Sequence, residues 1–317
     1  MATIYEVAKA AGVSPATVSR VLNGIRVRPD LMERVTEAAE RLEYSPNRMA
    51  RSLRRRSSEV IALIVPDIEN PYFTALARGV EDRARESGFS VILCNSDENL
   101  EKEAEYLRIA VSDQTAGVII AHASAKTDLS PLLAEARHVV AVDRVPAAGI
   151  VDSVSVDNVA VADRATRTLL ADGYRRIACI TGPDDVETAR DRARGWALAA
   201  DPAAARGELL HADYRYEGGR EAMVQVLARG EADAVVVTNN LMGAGALTAL
   251  HQAGKDPRGF GIAVVGGLPF APQWFDGVKV VPLPARELGL LAAETLINRI
   301  NGHTGPPRNI VAPLSAD

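Results

Sequence analysis

Residues 3–24 read TIYEVAKAAGVSPATVSRVLNG, and the pattern of this segment predicts how the N-terminal part of the chain folds. Thr3 and Glu6 have the T-x-x-E spacing of a capping box, which predicts the start of a helix, and Gly12 is placed to end it. The Ser14-Pro15 pair predicts a second start, because a serine hydroxyl caps free backbone amides and proline fits the first helical position. Two short helices joined by a tight turn are typical of a helix-turn-helix.

Basic residues are concentrated at the N-terminal end of the chain. Residues 1–57 carry eleven Lys and Arg against six Asp and Glu, a net charge of +5, whereas the whole chain of 317 residues carries −5. The remainder therefore carries −10. An asymmetry of this kind favours a domain that binds a polyanion. Combined with the helix-turn-helix pattern, it favours DNA over the alternative of a three-helix bundle with another purpose.

The second helix of the motif is the element expected in the major groove, with its first residues against the base edges. Arg20 is the best candidate for a base contact, because a guanidinium pairs bidentately with guanine O6 and N7. Nearby hydroxyl and amide groups suit phosphate contacts, which position the protein without reading sequence. The predicted DNA-binding residues of this region are Ser14, Pro15, Ala16, Thr17, Arg20 and Asn23.

Beyond residue 60, apolar runs alternate with amphipathic stretches. The apolar runs, which suit buried strands, are 60–65, 89–93, 117–120, 139–142, 176–180, 233–237 and 262–265. The stretches that suit helices are 72–87, 101–113, 158–172, 188–199, 218–229 and 241–253. Strands separated by helices form parallel sheets covered on both faces, and this many units suits two doubly wound lobes better than one sheet. Ligands in such folds bind at the carboxyl ends of the strands.

Several classes of protein are disfavoured. Cys94 and Cys179 stand in apolar runs and are expected to be buried free thiols of a cytosolic protein, not a disulfide or a metal site. The sequence contains no P-loop, no H-E-x-x-H and no G-x-S-x-G, and its five histidines are scattered, so we expect no enzyme activity, cofactor or metal. A signal peptide and an apolar run approaching the ~18 residues of a membrane span are both missing, which predicts a cytoplasmic protein.

The stretch 2–24, followed by YSPNRMARSL at 44–53, resembles the lactose-repressor (LacI/GalR) family of bacterial regulators, and the resemblance covers nearly the whole chain. It implies an α/β fold class: an N-terminal all-α helix-turn-helix domain plus a two-lobed, periplasmic-binding-protein-like domain with two doubly wound parallel sheets. The implied domains are a DNA-binding domain at 1–46, a hinge helix and linker at 47–58, and an effector-binding and dimerisation domain at 59–317. The effector-binding domain is expected to consist of two lobes. The first lobe comprises about residues 59–156 and 285–312, and the second comprises about residues 157–284.

The resemblance also assigns roles in DNA binding. Pro15, Ala16 and Arg20 stand where the family's base-reading residues sit. Residues 47–54 resemble the hinge helix, which folds on operator DNA and inserts a leucine, here Leu53, into the minor groove. That role is physically reasonable, because an apolar wedge unstacks and kinks a base step. Asn47, Ala50 and Leu53 complete the predicted DNA contacts, with an ordinary linker as the alternative.

The effector site implied by the resemblance combines aromatic rings with planar hydrogen-bonding groups, which suit the apolar faces and hydroxyl rim of a sugar. The residues that match the family's pocket positions are Tyr72, Phe73, Asp143, Arg144, Thr188, Arg192, Tyr214, Asn239 and Asn240. Alternatives remain for some of them. Tyr72 or Phe73 could be core residues, Arg192 could lie on a helix surface, and Arg144 could pair with Asp143 or Asp157.

Departures from the family pattern leave the effector open. The loop that follows VVG at 264–266 looks shortened, with Gly267 or Leu268 where relatives carry a sugar-binding aspartate, and Phe270 and Trp274 make this side more apolar. We also expect that the chain lacks the last strand of the family. Arg28 stands where a Ser or Thr cap is usual for the third helix.

These departures raise a second possibility for the ligand. Arg144, Arg190 and Arg192 together would suit an anionic effector instead of a free sugar. The candidate effectors are therefore a sugar, a sugar phosphate, a sugar acid or a nucleoside.

The sequence predicts a sequence-specific, DNA-binding transcriptional repressor that acts as a homodimer on double-stranded palindromic operator DNA, under control of that effector. A homodimer is expected and not a tetramer, because residues after 310 show no heptads. No membrane partner is expected. The alternatives are a small-molecule-binding protein without a regulatory DNA role, and an architectural DNA-binding protein without an effector.

Overall fold

A computed structural model describes residues 2–22, 27–42, 44, 58–135, 137–146, 149–199, 207–268 and 276–314. The chain divides into two compact units, residues 1–58 and 59–317. The N-terminal unit contains three helices, α1 (Ile4–Ala11), α2 (Pro15–Leu22) and α3 (Pro29–Arg41). The predicted DNA contacts Asn23, Asn47, Ala50 and Leu53 lie outside the described residues.

The predicted start and end of α1 are confirmed. The Thr3 hydroxyl accepts a hydrogen bond from the Glu6 amide at 3.4 Å, and the Glu6 carboxylate accepts one from the Thr3 amide at 2.7 Å. Gly12 ends the helix in the left-handed region, at φ 62°, where a residue with a Cβ is strained. The apolar faces of the three helices meet at Val7, Val18 and Val35, which are completely buried.

The second and third helices begin differently. Ser14 caps α2, because its hydroxyl accepts a hydrogen bond from the Thr17 amide at 3.2 Å. Arg28 precedes α3 and provides no side-chain cap, as its residue type implied. It instead forms an exposed ion pair with Asp30, with Nη2 2.6 Å from Oδ2.

The larger unit contains two parallel sheets, as predicted. The six-stranded sheet consists of β1 (Val60–Val65), β2 (Ser90–Asn95), β3 (Gly117–Ile120), β4 (His138–Val142), β5 (Asp152–Val156) and β11 (Asn309–Ala312), in the order β11-β5-β4-β3-β1-β2. The five-stranded sheet consists of β6 (Ile177–Thr181), β7 (Leu209–His211), β8 (Ala234–Val237), β9 (Gly261–Val265) and β10 (Val278–Val281), in the order β10-β9-β8-β6-β7. Every pairing of neighbouring strands is parallel.

Helices cover both sheets. The first lobe is the six-stranded sheet with α4 (Pro71–Glu86), α5 (Leu100–Ser112), α6 (Ser130–Ala134) and α11 (Ala285–Ile300). The second lobe is the five-stranded sheet with α7 (Asn158–Ala171), α8 (Glu187–Ala199), α9 (Tyr216–Arg229) and α10 (Asn240–Gln252). The chain passes from one lobe to the other between β5 and α7 and returns between β10 and α11. No helix in the described ranges is long and apolar enough to cross a bilayer.

Helices α4 and α11 cross at a pair of glycines. A Cβ atom on Gly79 would lie 2.1 Å from the Arg286 carbonyl oxygen, and one on Gly289 would lie 2.1 Å from the Leu76 carbonyl oxygen. The two backbones therefore touch, and no larger side chain fits between them. This contact fixes α11, which the chain supplies only after leaving the second lobe, against the first lobe.

Four strands and two helices were not predicted: β5, β7, β10, β11, α6 and α11. Strand β5 shows why. Its sequence, DSVSV, looks half polar, yet all five of its residues are buried. Asp152 is tolerated there because Arg299 of α11 donates two hydrogen bonds to its carboxylate, at 2.6 and 3.0 Å. Strand β11 pairs with β5, so the chain includes a C-terminal edge strand.

Candidate functional site

A cleft of about 530 Å³ lies between the lobes, at the carboxyl ends of their strands. It is lined from the first lobe by residues that follow β1, β2 and β4, and from the second lobe mainly by residues that follow β6, β7, β8, β9 and β10. All nine residues that the sequence singled out for an effector line it, namely Tyr72, Phe73, Asp143, Arg144, Thr188, Arg192, Tyr214, Asn239 and Asn240.

Tyr72 holds one carboxylate of the cleft in place. The side chain of Asn70 caps α4 by accepting a hydrogen bond from the Tyr72 amide at 2.9 Å, which sets the ring at the start of the helix. The Tyr72 hydroxyl donates to Asp143 Oδ1 at 2.6 Å. Burial and the charge of Asp143 raise the pKa of Tyr72 well above its usual range, so the phenol stays protonated. Among the described residues no partner is found for the second carboxylate oxygen of Asp143, Oδ2, so it is available to a ligand.

Tyr214 supplies a buried aromatic wall from the second lobe. It adopts a left-handed backbone, at φ 63°, and its hydroxyl lies 3.1 Å from the Thr188 hydroxyl. Gly182 makes room for the ring, because a Cβ there would lie 2.1 Å from the ring carbon Cζ. The guanidinium of Arg144, from the first lobe, is 6.0 Å from the ring centroid. An aromatic face fixed in this way suits stacking against a sugar ring.

Arg192 is buried, which excludes the alternative that it is a surface arginine of α8. Its Nε donates to Asn158 Oδ1 and its Nη1 donates to the Thr238 carbonyl, both at 2.8 Å. Within the described ranges no partner is found for Nη2. The guanidinium is therefore oriented by protein groups on two sides and keeps one nitrogen for a ligand.

Arg144 has a different partner from either of those predicted. It pairs with neither Asp143 nor Asp157, because Glu98 follows β2 with φ 56° and brings its carboxylate to the guanidinium. Burial by itself would lower the pKa of Arg144, but the hydrogen bonds and the charge of Glu98 outweigh burial and raise it. Asp157 instead caps α7, accepting a hydrogen bond from the Ala160 amide at 2.9 Å.

The cluster of three arginines proposed for an anionic ligand does not form. Arg190 is exposed and donates to the Asp184 carbonyl at 2.9 Å, outside the lining of the cleft. Arg144 is already paired with Glu98, so Arg192 is the member that keeps a free donor.

Eight further residues line the cleft and were not identified from the sequence: Asp67, Asn70, Glu98, Asp213, Arg215, Val265, Gly266 and Leu283. Their common signal is a position just beyond a strand or just before a helix. In total the lining holds four carboxylates and three arginines, so its fixed charge is slightly negative. This balance is the opposite of what an anion-binding site needs.

The loop that follows β9 brings backbone to the cleft. Gly266 lines the cleft with φ 92°, whereas Gly267 is exposed and Leu268 packs against the core of the second lobe. Neither of the last two stands where a carboxylate would reach a ligand. Phe270 and Trp274 lie outside the described residues.

Helix α2 presents a polar surface in the N-terminal unit. Ser14, Ala16 and Arg20 are exposed, while Pro15 and Thr17 are half-buried. The hydroxyls of Ser14 and Thr17 lie 3.0 Å apart. The side chains predicted to meet DNA are thus available on one short helix.

The turn before α2 is held by a residue that the sequence analysis missed. Arg34 of α3 donates through Nη2 to the carbonyls of Ala11 and Gly12, at 2.6 and 3.1 Å. These carbonyls belong to the end of α1 and have no partner in the helix itself. Arg34 therefore fixes the angle between the first two helices. Among the described residues there is no cluster of side chains suited to a metal ion.

Comparison with known proteins agrees with this geometry. The profile of periplasmic binding proteins and the sugar binding domain of the LacI family matches residues 58–316, and that of bacterial regulatory proteins of the lacI family matches residues 3–47. The ribose operon repressor of Halalkalibacterium halodurans is 35% identical over 95% of this chain and 91% of its own length. The transcriptional repressor PurR of Photobacterium profundum is 29% identical over 95% and 92%.

A solved structure shows the same fold. The lac repressor dimer bound to operator and the anti-inducer ONPF superposes with a TM-score of 0.86, at 22% identity, over 98% of this chain and 96% of that one. Both the sequence profiles and the two-lobed architecture therefore lead to one assignment. The chain belongs to the LacI family of bacterial regulators, with a helix-turn-helix DNA-binding domain followed by a sugar- or effector-binding domain.

Proposed function

We propose that the protein is an operator-binding repressor, without enzyme activity, whose affinity for DNA is controlled by a small neutral sugar bound in the cleft. The observation that carries the proposal is the convergence of all nine effector-site candidates on one cleft between the lobes. Because its target is chromosomal DNA, we infer that it acts in the cytoplasm.

The charge of the cleft favours a neutral ligand. Glu98 neutralises Arg144, and Arg215 faces Asp67 at 3.2 Å, so two of the three arginines are already paired with carboxylates. An anion would meet Arg192 with little other positive charge, against the carboxylates that remain. A neutral polyol instead has hydroxyl donors for Asp143 and an acceptor for Arg192. A sugar phosphate and a sugar acid are thus less suited to this cleft.

Ribose is the first ligand to test. Relatives named ribose operon repressor, from Halalkalibacterium halodurans and Bacillus subtilis, are 35% and 34% identical over 95% of this chain. The cleft is open to solvent at its mouth, and its wall combines aromatic rings, carboxylates and a guanidinium, which are groups that suit a monosaccharide.

DNA recognition is assigned to α2 and to the hinge segment. Arg20 is the candidate for a base contact, and Ser14 and Thr17 are candidates for phosphate contacts. Asn47, Ala50 and Leu53, which lie outside the described residues, are assigned to the minor groove on the family resemblance. A palindromic operator then requires two copies of the chain related by two-fold symmetry.

An apolar edge of the first lobe supports a homodimer. Strand β2 is an edge strand of its sheet. Its side chains Ile92 and Leu93 point to opposite faces of the sheet, and both are exposed, by 52% and 39%. Ile68, in the loop after β1, and Leu100, at the start of α5, are exposed as well. Apolar side chains on an edge strand favour burial against a second copy.

Effector and operator are expected to be coupled through the two lobes. A ligand that changes the angle between the lobes changes the spacing of the two hinge segments in a dimer, and the hinge helices fold only when they are held together over DNA. The coupling is reciprocal, so an inducer lowers the affinity for DNA by the same factor by which DNA lowers the affinity for the inducer.

The experiment is a paired binding assay on the purified full-length protein. Calorimetry with ribose, other neutral pentoses and hexoses, ribose 5-phosphate, gluconate and adenosine identifies the ligand class. Fluorescence anisotropy with palindromic duplexes, at fixed salt with and without each ligand, measures the coupling. We expect tight binding of a neutral sugar and a shift in DNA affinity. Binding of the anionic ligands alone would contradict the neutral-sugar assignment.

A truncation separates the repressor from the alternative of a binding protein without a regulatory role. A variant that lacks residues 1–57 should lose DNA binding and keep the affinity for the sugar. DNA binding that survives this deletion, or that is missing from the intact protein at low salt with every ligand tested, would overturn the proposal.

A further inference from the structure

Arg215 connects the two lobes at the mouth of the cleft. It immediately precedes α9 of the second lobe. Its Nη1 lies 3.2 Å from Asp67 Oδ2, and its Nη2 lies 3.5 Å from Asp97 Oδ1. Asp67 follows β1 and Asp97 follows β2, so both carboxylates belong to the first lobe. One guanidinium therefore spans the gap between the lobes with both of its terminal nitrogens.

A second contact between the lobes lies deeper in the cleft. Asn240, at the start of α10, donates through Nδ2 to Asn70 Oδ1 at 3.0 Å, and both side chains are buried. The same oxygen of Asn70 caps α4, so its position is fixed by the first lobe itself. The lobes are thus joined by an ionic contact at the mouth of the cleft and by an amide contact inside it.

Two opposing effects act on the ionic contact between Arg215 and Asp67, namely the burial of the carboxylate and its attraction to the guanidinium. Asp67 is 8% exposed, and burial raises its pKa although the charge of Arg215 acts in the opposite direction. The attraction of Arg215 therefore offsets only part of the cost of burying this carboxylate. Because opening the cleft returns Asp67 to water, the contact is weak enough to break and re-form as the lobes move.

The rest of Arg215 is also engaged by protein. Its amide donates to Asp213 Oδ1 at 2.9 Å, in the turn that leads into α9. Arg192, by contrast, is oriented by its own lobe and keeps a free nitrogen. Arg192 and Arg215 thus have different roles: Arg192 faces the ligand site, and Arg215 faces the opposite lobe.

We propose that Arg215 is a positioning residue that holds the lobes closed across the cleft through Asp67 and Asp97, and so sets the affinity of the effector. The closed form competent for binding is populated before the ligand arrives. The apparent dissociation constant rises as that population falls. The statement on affinity rests on the proposed function, whereas the statement on closure does not.

Closure is measured without any ligand. In a Cys94→Ser background, nitroxide labels at Glu86→Cys in the first lobe and Arg194→Cys in the second lobe report the distance between the lobes by pulsed electron paramagnetic resonance. Cys179 is completely buried and stays unlabelled. Labelled protein is diluted into unlabelled protein so that distances within one chain are recorded. We expect Arg215→Ala to add a population with a longer distance.

Arg220→Ala is the matched control. Arg220 lies on the same helix, and its Nε pairs with Glu217 of that helix at 2.7 Å, so it makes no contact across the cleft. The control should leave both the distance distribution and the affinity for ribose unchanged. Arg215→Ala should weaken the affinity for ribose about twofold to fivefold, the range for a partly exposed ion pair of this kind.

A double-mutant cycle tests the pairing itself. Asp67→Asn should give part of the effect of Arg215→Ala, because Asp97 remains as a partner of Arg215. The double variant should be no weaker than Arg215→Ala by itself. Additive losses would overturn the pairing. An affinity loss with an unchanged distance distribution in the ligand-free protein would show that Arg215 contacts the ligand directly, which would also overturn the proposal. If the unmodified protein binds no sugar, the proposed effector is wrong, and the distance measurement alone decides on the closure.

Discussion

Glu98 and Arg144 form a bidentate ion pair in the wall of the cleft. Arg144 Nη2 lies 2.6 Å from Glu98 Oε1, and Nη1 lies 2.8 Å from Oε2. Arg144 is 3% exposed, and its Nη1 also donates to the carbonyls of His122 and Ala123. A buried guanidinium with its partner attached is a structural support, and its charge is not available to a ligand.

We expect Glu98→Gln to lower the free energy of unfolding by about 3 kcal/mol, because it leaves a buried guanidinium without a counter-charge. Urea denaturation at pH 7 measures the loss. Glu217→Gln, which removes one partner of an exposed pair within α9, is the control and should have no measurable effect. An equal loss in both variants would contradict the special role of the buried pair.

Arg192→Lys should weaken effector binding by at least tenfold while the DNA affinity of the effector-free protein is unchanged. The reason is geometric: the planar guanidinium is held by Asn158 and Thr238 and still presents a nitrogen, whereas an ammonium group cannot serve all three partners. Calorimetry and anisotropy on the same preparation check the two statements. Retention of full affinity would show that Arg192 only braces the second lobe.

Arg20→Ala should relax base preference at one position of the operator half-site, at a cost of about 1–3 kcal/mol. The measurement is selection of bound duplexes from a randomised half-site library, followed by sequencing. Lys9→Ala, at the end of α1, is a control that removes a positive charge without touching α2. A uniform loss over all sequences, equal in the two variants, would mean that Arg20 contacts phosphate instead of a base.

Stability should depend on His122 between pH 6.5 and pH 4. The ring is 4% exposed, and among the described residues neither of its nitrogens has a partner that meets the geometric criteria of a hydrogen bond. Burial together with the charge of Arg144 outweighs the nearby backbone groups of Ser124 and Arg144 and lowers the pKa of His122 to about 4. The unfolded chain binds this proton near pH 6.5 and the folded chain does not. The stability that His122 confers is therefore complete above pH 6.5 and is lost as the pH falls toward 4, by about 3 kcal/mol in total.

His122→Leu should flatten the pH dependence of unfolding in that window, because an apolar side chain of similar size carries no proton. Thermal unfolding scans from pH 4 to pH 7.5 give the slope. His303→Gln, at an exposed position after α11, is the comparison and should leave the slope as it is. A slope equally steep in the His122 variant would assign the acid sensitivity to carboxylates.

Local patterns in the sequence predicted most of the elements. The capping box at Thr3 and Glu6 and the Ser14-Pro15 start lie within one helical turn of the groups they serve, so sequence is sufficient to place them. Strands β1 and β8 are fully apolar and were predicted from their local sequence as well. Strand β5 was missed, because the partner that makes its aspartate tolerable, Arg299, is far away in the chain.

Some features of the candidate site could likewise be predicted from local sequence, whereas others depend on contacts between distant segments. The residue types at the ends of the strands could be predicted from the sequence, and with them the edge of each sheet that faces a ligand, because the carboxyl ends of parallel strands lie at the same edge. The partners in the ion pairs, in contrast, could be identified from the three-dimensional structure and not from the sequence. Glu98 with Arg144 and Arg215 with Asp67 are pairs between segments far apart in the chain, and such pairing depends on how two lobes and their loops pack in space.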